Sequence, residues 1–497
     1  MSFASFNFPL FSIILALVCS AVSSVLRRKA ARILSLCLCL TVAVLSFTLC
    51  SVCVRMGGRM DFLMGHYPHP WGNELRFGPL EPFFAGMFSL IMLLSILGGE
   101  QQLLRDLPMQ RQNYYYVMTD LILVSILALC YSNDLFTGYV FIEICTISSC
   151  GILMIREIDR TTLAYVRYMI FSLIGSGLFL LGLILLYGIT GHLLMPNLLD
   201  SVRSVWASGG YRLPLLSSAA LITIGLGVKS GLFPFHYWMP DTYGAATASS
   251  SAILSGLVSK GYIFFLIKIV HRVFGVEMFY ASGIANILFV LGLAGMVVGS
   301  VYAMREENIF RMIAFSSAAQ IGYIYMGIGI SPQLGITACM FHMLAHAVTK
   351  PMLFLSAAQL QSCTGKRTVK ELRGSARKHP LAGAVFIVGS LSMIGFPATM
   401  GFVCKYYFAV AAFAASAGRM IPALIILALS TCLNAVYFGR SIISVLTPGT
   451  DADLRRVRVR DNVPFAVSGI MLSALNLLWG LNPKFLYNLI DLGRELL

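Results

Sequence analysis

Charge is scarce in this chain. Asp, Glu, Lys and Arg make up 11% of its 497 residues, against about 25% in an ordinary soluble domain. No long linker and no soluble-domain stretch is visible, and the longest polar connections are 55–82 and 361–382. Acidic residues are scarcer still, 21 against 36 Lys and Arg, for a formal net charge of +15. Such a balance suits nucleic acid. No basic domain, zinc-ligand set or aromatic RNA motif accompanies it, so no nucleic-acid partner is expected. The twelve cysteines are dispersed, mostly in apolar stretches. Cys50-Ser51-Val52-Cys53 is a lone CxxC, and no second pair completes a zinc or cluster site. The cysteines read as small apolar packing residues. The first ten residues carry no Lys or Arg, so the first apolar segment reads as a retained helix, not a secretory signal.

What the chain has is apolar length. Hydrophobic residues make up 58% of it, and the mean hydropathy is +0.81. It reads as an all-α polytopic membrane protein with nearly all its mass in the lipid bilayer. A spanning helix needs about 20 mostly apolar residues. Fourteen segments qualify, centred near residues 17, 43, 90, 122, 145, 177, 228, 260, 293, 320, 346, 397, 433 and 472. With the N-terminus outside, the cytoplasmic connections are 27–32, 99–112, 156–160, 305–311, 361–380 and 446–463. They hold 20 Lys and Arg, and the external side holds nine. Cytoplasmic excess sets orientation, which predicts that both termini are external.

Several charges lie inside these spans. A charge at the bilayer centre costs roughly 3 kcal/mol on insertion scales, and its usual uses are ion pathways and proton relays. Glu143 lies in Phe141-Ile142-Glu143-Ile144-Cys145. Lys229 lies in Gly227-Val228-Lys229-Ser230-Gly231, among small residues that allow close helix approach. If the two meet, they form a switchable proton site or a static ion pair that fixes packing. Lys260 lies mid-span in Val258-Ser259-Lys260-Gly261-Tyr262. Lys268, two turns further on, reads as a snorkelling anchor. His342, His346 and Lys350 are spaced by four and eight residues and share one helix face. Histidine suits a relay near neutral pH. The HxxxH pattern resembles a zinc-protease helix, but Met343 stands where HExxH needs its glutamate, so no metal is expected. Lys405 follows Pro397 by eight residues. Asp241 and Lys350 are accessory candidates. Asp241 reads as capping or orienting its loop, not as a relay residue. Arg311 and the basic run 366–378 read as cytoplasmic anchors, and His66 and His69 as loop residues.

Two spans are broken in mid-membrane, at Gly231-Leu232-Phe233-Pro234-Phe235-His236 and at Gly395-Phe396-Pro397-Ala398-Thr399-Met400-Gly401. Proline removes a donor and clashes with the preceding turn. Freed backbone at this depth is tolerated only in protein or beside water. The two prolines are five spans apart, and paired broken helices are the sequence sign of inverted repeats. An odd number of spans inverts the second repeat. The expected division is 1–112 for the first three helices, 113–272 and 281–445 for two inverted five-helix repeats, and 464–497 for the last helix. Two ordinary proline kinks are the alternative.

These motifs carry a resemblance. Lys229 to Asp241 resembles the seventh-helix signature of the antiporter-like, proton-translocating subunits. Those subunits occur in respiratory complex I (its M and N subunits), in Mrp antiporters (the D subunit) and in membrane-bound hydrogenases. Asn308 to Tyr323 resembles that family's tenth helix and Phe341 to Leu355 its eleventh. The resemblance spans about residues 70–440 and implies fourteen helices with two inverted repeats. It implies a relay of Glu143, its partner Lys229, the connecting residue Lys260, His342 and His346, and the exit residue Lys405. Tyr67 to Leu75 is similar to the D-type subunits of the Mrp antiporters and hydrogenases. The long lateral helix of the largest complex I member has no counterpart. Glu81-Pro82 departs from the family's Asp-containing helix start and bears on a local contact only.

The expected function is a proton-translocating subunit of a multisubunit, redox-driven complex related to complex I or the hydrogenases. Its setting would be the inner membrane of a prokaryote. No redox motif lies in the chain, so iron–sulfur or nickel-iron centres would belong to partner subunits. The expected partners are other integral membrane subunits, with protons, and sodium as a second ion, as cargo. Two alternatives stand beside this reading: the D subunit of an Mrp-type sodium/proton exchanger, and a structural subunit whose charges only hold the bundle together.

Overall fold

The computed structural model describes residues 7–64, 67, 72–156, 159–448 and 462–497. His66 and His69 lie outside them, as do residues 68–71 of the Tyr67 to Leu75 motif. The chain is an all-α, multi-pass membrane protein. Among the described residues, thirteen helices are long and apolar enough to cross a bilayer. The fourteenth sequence-derived position, 397, falls between two shorter apolar helices, Pro380–Ile394 and Met400–Phe413.

Burial sorts these helices into an interior and a rim. Ala248–Phe274, Ile309–Ile330 and Leu334–Thr364 are buried throughout their apolar windows, whereas Phe8–Val25, Thr161–Thr190, Ala417–Leu446 and Val463–Leu481 are less than half buried. A helix that is apolar all round belongs inside a bundle. The lysines and histidines on the three interior helices therefore face protein, not lipid. Small residues bring the inner helices close. A Cβ on Gly292 would fall 2.4 Å from the Met326 amide nitrogen, and one on Gly322 would fall 2.6 Å from the Gly292 carbonyl oxygen.

The two breaks are built alike. Gly231 and Gly395 have φ of 83° and 90°, in the left-handed region that glycine enters at no steric cost. The Leu232 amide donates to the Gly227 carbonyl at 2.9 Å, and the Phe396 amide to the Leu391 carbonyl at 2.9 Å. Both are the six-to-one bond of a Schellman closure. Helix resumes at Trp238 after the first break and at Met400 after the second.

The connections gather into two faces. On one, Arg156 pairs with Asp106 at 3.4 Å and donates to the Ala245 carbonyl at 3.0 Å. The Val369 amide donates to the Glu307 carbonyl at 2.8 Å, and Arg440 to the Glu306 carbonyl at 2.7 Å. The connections 99–112, 156–160, 305–311 and 361–380 thus meet. On the other face, strand Met60–Leu63 pairs antiparallel with Glu74–Phe77, and Leu75 bridges to Ser132.

One basic residue departs from its sequence reading, and a second is buried in an ion pair. Lys268 does not snorkel. It is fully buried, and its ammonium donates to the carbonyls of Leu129, Cys130 and Ser132 at 3.1, 2.7 and 2.7 Å. These groups close helix Gln112–Tyr131, where carbonyls lack intrahelical donors and attract a cation. Arg272, one of the nine basic residues counted on the external side, is buried. It pairs with Glu81, and its Nε donates to the Leu497 carbonyl at 3.1 Å.

Candidate functional site

Helix Leu135–Met154 starts at Asp134, whose side chain accepts from the Thr137 amide, and carries Glu143 near its middle. Lys229 sits two residues before the Gly231 break. Its Nζ lies 3.7 Å from Glu143 Oε1, with side-chain exposures of 1% for the lysine and 25% for the glutamate. The hydrogen bond from Nζ goes instead to Thr146 Oγ1, at 2.6 Å, one turn further along the same helix. Gly175 makes room for the lysine, since a Cβ there would fall 2.9 Å from Lys229 Cγ. The Tyr262 ring lies 5.7 Å from Nζ, two residues along its helix from Lys260.

Lys260 is fully buried. Its ammonium donates to the Ser255 carbonyl in its own helix. Ser255 lies in a π turn, Leu254–Val258, a departure from α geometry that recurs at functional sites. This turn faces a second irregularity. Pro351 has no N–H to offer the Ala347 carbonyl four residues back, and Gly256 is seated against both, since a Cβ there would lie 3.1 Å from Pro351 Cγ and 3.3 Å from that carbonyl oxygen.

His342, His346 and Lys350 lie along Leu334–Thr364, all buried. The two imidazole centroids are 6.2 Å apart. Lys350 donates to the Ile313 carbonyl at 2.9 Å and to Ser316 Oγ at 2.6 Å. His342, His346 and Lys405 line one small cavity, together with Gln320, Thr349 and Ser392. Lys405 reaches the cavity from helix Met400–Phe413. Its Nζ donates to the Ile394 carbonyl at 2.5 Å, at the C-terminus of the first half of the second broken span. Gly395 is seated against the lysine, for a Cβ there would fall 2.8 Å from Lys405 Cδ.

Not every candidate joins this group. Asp241 lies at the end of the first broken span, where it pairs with Arg167 and, at 2.5 Å, with Arg311. It ties three helices together, and Arg311 does more than anchor.

Sequence reading missed three features. Asp120 is buried mid-span on Gln112–Tyr131 and accepts from Ser35 and Ser23, at 2.5 and 3.3 Å. Its place two residues from a span centre was the available signal. Ser316, Ser317 and Gln320 form a polar face on Ile309–Ile330, legible from their helical spacing. Ser317 Oγ meets Ser255 Oγ at 2.9 Å. Asn476, on Val463–Leu481, donates to Thr349 and Ser392, at 2.9 and 3.0 Å, and so braces the cavity wall.

The sequence of residues 132–431 matches the family described as NADH:quinone oxidoreductase/Mrp antiporter, transmembrane. The chain belongs to this family. It is 32% identical over 391 residues to NADH-quinone oxidoreductase subunit N of Desulforudis audaxviator, covering 77% of this chain and 74% of that one. It is 27% identical over 366 residues to the D subunit of the Na(+)/H(+) antiporter of Alkalihalophilus pseudofirmus, covering 73% and 72%. A chain in the Mrp complex from Dietzia sp. DQ12-45-1b shares the fold, with a TM-score of 0.86 at 21% identity, over 99% of this chain and 97% of that one. Family membership agrees with the resemblance read from the helix motifs.

Proposed function

We propose that this family member carries protons through the membrane part of a multisubunit complex, along the series Glu143, Lys229, Lys260, His346, His342 and Lys405. The observation that carries this reading is the shared cavity of His342, His346 and Lys405, with both histidines on a helix buried throughout its apolar window. With Lys350 beside it, the axis holds one carboxylate against four lysines and two histidines. In a low-dielectric interior like charges repel strongly, so a proton gained at one base loosens the next. Glu143, partly exposed beside sealed Lys229, is placed to gate the lysine and to sense a neighbouring subunit. Lys350 and Asp241 support the series from outside, Lys350 by bracing the histidine helix against Ile313 and Ser316.

The matching closures at Gly231 and Gly395 support two inverted repeats, 113–272 and 281–445, between 1–112 and 464–497. The meeting of the Lys/Arg-rich connections on one face supports a cytoplasmic assignment for that face, with both termini external. The setting is a prokaryotic inner membrane. Energy would come from redox centres, iron–sulfur or nickel-iron, held by partner subunits.

A second reading is an Mrp-type sodium/proton exchanger subunit, favoured by the 27% identity to an antiporter's D subunit. Sodium prefers oxygen ligands, whereas this axis is built of amines and imidazoles. Proton transport by the reconstituted complex tests the two readings together. Redox-driven transport independent of sodium supports the first. Transport that needs a sodium gradient and survives loss of the redox partners supports the second. Transport that persists unchanged in Lys229, Lys260 and Lys405 variants contradicts both and leaves a structural subunit.

A further inference from the structure

Helices Arg28–Met56, Leu80–Asp106 and Val463–Leu481, with the short helix Lys484–Glu495, line an open groove of about 760 Å³. Its walls include Phe47, Phe83, Leu90, Trp479, Leu489 and Leu492. Phe47, Phe83 and Trp479 form a continuous aromatic wall, with centroids 6.2 and 6.3 Å apart. Arg55 is the one charged side chain in the lining. It is exposed, and it has no acidic partner among the described residues. It sits in the last turn of its helix, which Gly57 closes. Lys484–Glu495 is amphipathic, burying Leu486, Leu489 and Ile490, as a helix lying in the membrane interface does. Trp479 marks the same level.

We infer that this groove binds an anionic phospholipid, its phosphate on Arg55 and an acyl chain along the aromatic wall. On this helix the lining runs from Arg55 to Phe47, eight residues, so the groove extends about 12 Å from its cationic mouth. A free anion has no use for an apolar shaft, and an uncharged apolar molecule has none for the arginine. A partner's spanning helix needs apolar contact over about 30 Å of bilayer, more than twice that run. The site is remote from the proton axis and independent of its role.

The test uses the intact complex in vesicles doped with phospholipid carrying brominated acyl chains, which quench tryptophan on contact. Trp479 emission is taken as the difference between the native protein and Trp479→Phe. Brominated phosphatidylglycerol should quench at an about fivefold lower mole fraction than brominated phosphatidylcholine. Arg55→Gln, at an exposed position, should abolish that preference and leave the fold intact. Equal quenching by the two lipids, or a preference that survives Arg55→Gln, would mean ordinary surrounding lipid and overturn the inference. No quenching by either would mean that protein covers the groove, and would overturn it too.

Discussion

Lys229 lies 3.7 Å from Glu143 but gives its hydrogen bond to Thr146. The pair is in charge contact without being locked. A buried charge that loses its partner is costly, so a fully static pair would be expected to bond directly. Here the threonine holds the ammonium while the carboxylate, a quarter exposed, stays available.

Glu143→Gln removes the charge and keeps the shape. Thr146 still holds Lys229, so the complex should assemble at wild-type level. Proton transport should fall by about tenfold or more. Immunoblots of the purified complex and a proton-uptake assay in vesicles check the two halves. Wild-type transport would show that the carboxylate has no part in gating.

Lys405 caps the Ile394 carbonyl as well as lining the histidine cavity. Lys405→Arg keeps a donor for that carbonyl but does not release its proton. Assembly should survive and transport should drop by about tenfold or more. Lys405→Glu should harm both, because a carboxylate would face the helix's terminal carbonyls. Full transport with arginine would mean that the lysine is only a cap.

Lys268 is the contrasting case. Its three carbonyl bonds close a helix and face no relay group. Lys268→Met should cost about 1–3 kcal/mol of stability, seen as a lower unfolding temperature in detergent. Transport per assembled complex should be unchanged. A stable variant that cannot transport would reverse the assignment.

Glu81 and Arg272 form a pair with exposures of 1% and 3%. Breaking it by Glu81→Ala should cost about 3–5 kcal/mol. The Arg76–Asp61 pair has a 42% exposed carboxylate, and Asp61→Ala should cost about 0–1 kcal/mol. Thermal unfolding of the two variants side by side ranks them, and equal shifts would refute the distinction.

How far the sequence led follows from range. The spans and both breaks were legible because they depend on local composition and on Gly231, Pro234, Gly395 and Pro397. His342, His346 and Lys350 were legible because helical spacing places them on one face. Lys229 and Lys268 are each a lysine in an apolar span, and local sequence does not show what either ammonium meets. Their difference lies in acceptors more than 80 residues away in sequence. The Glu81–Arg272 pair joins residues 191 apart, beyond any local pattern. The π turn at Leu254–Val258 has no proline to announce it, and its place follows from packing against Pro351.

The relay is tested most directly by proton translocation in vesicles containing the intact complex, comparing wild type with Lys229→Met at equal amounts of assembled complex. Methionine keeps most of the side-chain volume and removes the proton carrier between Glu143 and Lys260. Translocation should fall by about tenfold or more while the partner subunits remain bound. Undiminished translocation by the assembled variant would contradict a proton path through this lysine.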